Sequence, residues 1–242
     1  MRGQRVRAQV GFETRAVLRN GEQLLLTLLI PLIALAGLLR TDLVALPEPR
    51  ATVAMAGVVA MAVVATAFTS QAIAIAFDRR WGVLRMLGTT PLGPRGLLLG
   101  KLGAVLCVLV VQVVILAGVG VLLGWRPAPS PAAILGGTVF VLLGAVTFVS
   151  FALVVAGTMR PEGVLALANV AFVVMVLGAG LLLPLDLMPE PVAAVLRFLP
   201  PGALGEGLRS LSESPDVLAL AVLAAWGGLA VWLASRYFRW DA

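Results

Sequence analysis

The residues best suited to chemistry on a charged partner lie between Asp78 and Lys101: Asp78, Arg79, Arg80, Arg85 and Arg95, with Trp81 among them. The same segment holds Gly96-Leu-Leu-Leu-Gly-Lys101, which has the ending of a phosphate-binding loop. Such a loop needs a glycine five places before its second glycine, so that backbone N–H groups can cradle phosphate, and Ser or Thr after the lysine to hold magnesium. Arg95 and Leu102 stand at those places, and the run leads into an apolar stretch instead of leaving a strand. The motif is therefore no nucleotide site. Histidine is absent from the chain, which removes Ser-His and Cys-His catalysis, most zinc sites and histidine proton relays. Cys107 is the sole cysteine and sits in an apolar run, where it reads as a small hydrophobe.

What must position this segment is a membrane bundle. Of 242 residues, 60% are apolar and 12% charged, against about 25% charged in a soluble domain. Six stretches contain no charge: 23–39, 51–77, 102–125, 127–159, 163–185 and 217–235. A bilayer core about 30 Å thick takes roughly 20 helical residues to cross. The expectation is six spans. None of these stretches holds a carboxylate, so intramembrane aspartyl proteolysis lacks its acid pair, just as rhomboid-type proteolysis lacks its histidine. An intramembrane enzyme is thus poorly supported.

Six spans return the C-terminus to the side of Arg2, Arg5, Arg7, Arg15 and Arg19, together with Arg79, Arg80, Arg85, Arg95, Lys101, Arg160, Arg236 and Arg239. Arg40, Arg50, Arg126, Arg197 and Arg209 fall opposite. The positive-inside rule then puts both termini in the cytoplasm of a multi-pass membrane protein. It also explains the net charge of +6 without nucleic acid as a partner. The basic N-terminus followed by Leu24 to Leu39 has the outline of a secretory signal too, but no folded ectodomain follows for it to deliver.

Residues 5–20 read as a short interfacial helix, with Val6, Val10 and Val17 on one face and Arg5, Arg15 and Arg19 roughly opposite; Glu13 falls on the apolar face. Pro31 predicts a kink in the first span, with the carbonyl it frees met by a neighbouring helix or by Thr27. Gly120-x-x-x-Gly124 reads as a packing face. Trp81, Leu84, Leu87 and Gly88 follow helical spacing, and Thr90-Pro91 suits a second helical start. That short helix either lies on the inner membrane surface or docks into a partner with Trp81 and Arg85 as anchors. On the other side, 184–216 is punctuated by Pro184, Pro189, Pro191, Pro200 and Pro201. Val192–Phe198 and Gly202–Leu211 are too short to cross and read as re-entrant or interfacial helices, in preference to a proline-rich loop.

Taken together, these two segments resemble the permeases of type-2 ABC exporters, specifically the daunorubicin-resistance-like permeases of actinomycetes. The resemblance covers essentially the whole chain as a single transmembrane domain, 1–242. It rests on Asp78, Arg79, Arg80, Gly82, Leu84, Leu87, Thr90, Pro91, Gly100 and Lys101 for the cytoplasmic coupling helix, and on Pro184, Pro189, Leu199, Pro200 and Arg209 for the external helices. Where many members carry a second acidic residue, this chain has Arg80.

The resemblance implies an all-α fold with six transmembrane helices. Around them it sets an amphipathic N-terminal helix (1–22), a coupling segment (78–101) and a re-entrant segment (184–216). It implies that this chain binds no cofactor, that ATP and Mg sit on a separate ABC ATPase present in two copies, and that a second permease subunit, identical or homologous, completes the lipid-embedded unit. Coupling would fall to Asp78, Arg79, Arg80, Trp81, Leu84, Arg85, Leu87, Thr90 and Pro91. A buried charge costs about 2.5 to 3.5 kcal/mol at a helix centre, so the charge-free spans suit an apolar or amphipathic cargo, a drug, antibiotic or lipid-like compound leaving the cytoplasm or inner leaflet. Thr66, Thr69, Ser70, Gln112 and Asn169 are candidates for its polar contacts, although interhelical hydrogen bonding explains each equally well. A non-transporting membrane scaffold is the alternative function.

Overall fold

The computed structural model describes residues 2–19, 21–41, 44–88, 93–212 and 214–237. All of the regular structure it describes is helical, as lipid demands, because a helix satisfies its own backbone hydrogen bonds. In chain order the helices are α1 (Arg2–Arg19), α2 (Gly21–Arg40), α3 (Arg50–Val64), α4 (Gln71–Arg80), α5 (Val83–Gly88) and α6 (Gly93–Leu122). They continue with α7 (Pro131–Thr158), α8 (Pro161–Gly178), α9 (Glu190–Leu196), α10 (Pro200–Arg209) and α11 (Val217–Tyr237).

Helices α3 and α4 are halves of one rod, Arg50–Arg80, joined by a π-helical turn over Ala65–Ser70. Among the described residues, five helices are long and apolar enough to cross a membrane: this rod, Leu99–Leu122 within α6, α7, α8 and α11. The first expected span falls on α2, whose described apolar portion, Thr27–Arg40, is shorter. The rod is the most deeply buried of these elements and α8 the least. Alanine, valine and methionine dominate the rod's buried positions, so neighbouring backbones come close on all sides.

Glycines set the tightest crossings. A Cβ on Gly227 of α11 would lie 2.9 Å from the Thr147 hydroxyl of α7, and nearby the Phe151 and Trp226 rings pack tilted by 52°, their centroids 6.0 Å apart. Helix α1 lies along the first half of α6, where Gly100 and Gly103 admit Gln9 and Val10. Gly120 admits Met55 of the rod, but Gly124 stands beyond the end of α6 at φ 101° in open space. The Gly120/Gly124 spacing is thus half packing face and half chain reversal.

The 78–101 segment begins and ends inside helices, because α4 runs to Arg80 and α6 starts at Gly93. The chain leaves helix at Gly178, well short of the end of the charge-free stretch, and turns at Gly180 with φ 78°.

Candidate functional site

At the end of the bundle that carries α1, six charged side chains tie separate elements together. Lys101, only 1% exposed, places its ammonium 3.2 Å from Glu13 of α1 and 3.2 Å from Asp78 of α4. Gln9 donates to the same Glu13 carboxylate at 3.0 Å. The acidic residue on the apolar face of α1 is therefore not a flaw in its amphipathic pattern but the group that meets Lys101. Arg79 donates to the carbonyls of Gly157 and Met159, both at 2.6 Å, and so satisfies the end of α7. Arg80 pairs with Glu162 in the first turn of α8.

Beyond these anchored residues the chain reverses. Gly82 takes φ 74°, a conformation that a side chain would strain. Trp81 caps α4, outside the short helix expected to contain it, and is 71% exposed with its ring 5.4 Å from that of Phe77. Leu84 is fully buried, whereas Arg85 and Met86 face outward. Thr90 and Pro91 lie outside the described residues, as does the side chain of Leu87.

Next to this turn is a cleft of about 570 Å³. Its walls are Thr27, Ile30 and Pro31 of α2; Ala65, Thr69 and Ser70 of the π-helical turn; Ile73, Ala74, Phe77 and Asp78 of α4; and Asn169 and Phe172 of α8, with Trp81 at its edge. The structure brings together three of the five polar candidates. Among the described residues the buried Thr69 hydroxyl has no partner, and the Asn169 amide donates to the Leu165 carbonyl of its own helix, at 2.9 Å.

Thr66 and Gln112 do not line the cleft. They bond each other at 2.9 Å, and the Gln112 amide donates to the Thr27 carbonyl at 3.1 Å. That carbonyl is the one Pro31 leaves without its helical partner, so a neighbouring helix satisfies it. Both residues hold α2, α6 and the rod together. The π-helical turn separates the two groups: it carries Thr66 toward α6 and Thr69 and Ser70 to the cleft, and such turns recur at functional sites.

The opposite end of the bundle is fixed by Arg209, 9% exposed. Its guanidinium donates to the Gly180 carbonyl at 3.0 Å, the Leu181 carbonyl at 2.5 Å and Glu206 at 2.8 Å. Burial pulls it below the ordinary arginine range, opposed by the carboxylates of Glu206 and Asp186. Pro184, Pro189 and Pro200 each stand at the start of a helical element, and α10 is buried among α3, α7 and α11 while α9 stays outside. At this end too, Arg50 donates to the Leu38 carbonyl at 3.0 Å and to that of Thr41. Arg50, Arg79 and Arg209 thus share one task, taking carbonyls at or just beyond the ends of α2, α7 and α8.

Sequence reasoning missed Glu13 as a partner for Lys101. The available signal was a lone carboxylate on an apolar helix face, which must find a cation. Among the described residues, no cluster of His, Cys, Asp and Glu could hold a metal ion.

In comparisons with known proteins, residues 39–236 match the family model described as ABC-2 family transporter protein. No curated protein matches the chain.

Proposed function

This chain belongs to the ABC-2 family of transporter proteins, and from that premise we propose that it exports a hydrophobic or amphipathic compound using ATP hydrolysed by a separate subunit. Family membership makes it a multi-pass membrane component of an ABC transporter, the permease and not the ATPase. The single observation behind the cargo is the cleft. At about 570 Å³ it falls in the range of drug-sized sites, and its walls are mostly apolar with Thr69, Ser70 and Asn169 as isolated polar groups. Such a surface suits a cargo with a large apolar body and few hydrogen-bonding atoms.

In this reading the α1 end is cytoplasmic, α2 is the first of six spans, and α9 and α10 form the re-entrant segment on the outer side. The exposed Trp81, Arg85 and Met86 dock the ATPase. Their anchors Asp78, Arg79 and Arg80 carry its movement into α4, α6, α7 and α8. Two permease subunits pair and two ATPases bind them, in the bacterial plasma membrane.

The test is to co-purify the chain with an ABC ATPase encoded beside it and follow ATP hydrolysis in lipid nanodiscs. A stable complex whose turnover rises with hydrophobic compounds supports the proposal. An ATPase that does not bind, or that binds equally well without the 81–88 turn, overturns it in favour of a scaffold.

A further inference from the structure

Lys101 sits in the third turn of α6, close enough to the helix start for a four-carbon stem to carry its ammonium out to water. Instead it is 1% exposed and meets carboxylates from two other segments, Asp78 at 23 positions' separation and Glu13 at 88. Burying an ion pair adds little net stability, but removing one partner leaves an uncompensated charge, so such pairs are best at fixing a geometry. The geometry fixed here is specific. The Asp78–Lys101 bond closes the base of the segment that carries Trp81 and Arg85, and Glu13 attaches α1 to that closure. Gly100 and Gly103 bring α1 close enough for it to form. Helix α1 is followed directly by α2, which carries Thr27, Ile30 and Pro31 of the cleft wall.

We propose that Lys101 is a positioning residue, an ionic clasp that makes α1 move as one body with α4 and α6, so that displacement of the 81–88 turn reaches α2 and the cleft. The transmission rests on the ATPase-coupled reading above; the clasp does not. Glu13 and Lys101 are therefore assigned to coupling although neither belongs to the exposed docking surface.

Two measurements separate these parts. In the full chain in nanodiscs, Lys101→Met should raise amide exchange in α1 by at least about tenfold while α7 and α11 keep wild-type protection. Unchanged α1 exchange in the folded variant overturns the clasp. If that variant fails to fold, Glu13→Gln decides: it leaves Lys101 paired with Asp78 and should still loosen α1 selectively, and an unaltered α1 would overturn the clasp equally. In the complex with the ATPase, Lys101→Met should keep ATP hydrolysis but move at least about fivefold less cargo per ATP, with partial recovery in Lys101→Arg. Loosened α1 with wild-type cargo per ATP overturns the transmission. Failure of the wild-type chain to bind an ATPase refutes the functional reading while the exchange result still stands.

Discussion

Replacing Arg209 with methionine keeps the bulk of the side chain and deletes its five donors. The structure sets the cost. Two buried carbonyls, Gly180 and Leu181, lose a donor, and unsatisfied buried groups cost about 1 to 3 kcal/mol each. Glu206 loses its cation but keeps the Leu185 N–H at 3.0 Å, so its charge is only partly stranded. These losses overlap, and breaking a buried pair gives about 3 to 5 kcal/mol in total. For a chain of this size each kcal/mol shifts the midpoint by about 2 to 4 °C, so the expected fall is roughly 6 to 20 °C. Lysine at 209 offers one ammonium where a fork is required, and should recover about half of the loss. Fluorescence-detected size exclusion after heating measures the midpoint, and hydrogen exchange should localise the first opening to 179–187. ATPase binding, at the other end of the bundle, should be unchanged. A midpoint within about 2 °C of wild type would refute the view that Arg209 closes the end of α8.

Other consequences are as specific. Trp81→Ala and Arg85→Ala should leave the thermal midpoint within about 2 °C of wild type, since both side chains are exposed, but lower cargo moved per ATP several-fold in proteoliposomes. Gln112→Leu removes a donor to the Thr27 carbonyl and the acceptor of the Thr66 hydroxyl and should cost about 2 to 4 kcal/mol, read as a midpoint fall of at least about 4 °C. Thr69→Val removes one unpartnered buried hydroxyl at constant shape; it should leave stability unchanged or raised while shifting the half-saturating concentration of a polar-headed cargo about two- to tenfold. Gly207→Ala drives a methyl group into the Phe140 ring and should destabilise α10 by about 1 to 3 kcal/mol by the same heating assay.

Much of the bundle is legible in the sequence because lipid enforces a long-range rule: each charge-free stretch coincides with a helix, and breaks such as Arg126-Pro-Ala-Pro-Ser-Pro fall between α6 and α7. Pro31 is legible for the same reason, since its freed carbonyl needed a donor from another helix and Gln112 supplies it. The failures are of a different kind. Charge-free residues ended the fifth stretch at 185, yet α8 stops at 178 because Arg209, distant in sequence, takes the carbonyls that follow. Charge likewise ended the second stretch at 77 and began the third at 102, yet Asp78 and Lys101 lie within α4 and α6, because paired charges are tolerated inside helices and these two are paired. Of the polar span residues, composition could not separate Thr69 and Ser70 at the cleft from Thr66 at a helix junction, because the π-helical turn that holds all three changes the helical register between them.

The central claim is ATP-driven export through this chain, and the most direct measurement uses inside-out proteoliposomes holding the chain and its ATPase with a fluorescent amphipathic compound outside. ATP should drive the compound into the lumen, and Trp81→Ala should reduce that uptake several-fold while hydrolysis continues. No ATP-dependent movement, or net movement out of the lumen, would contradict the account.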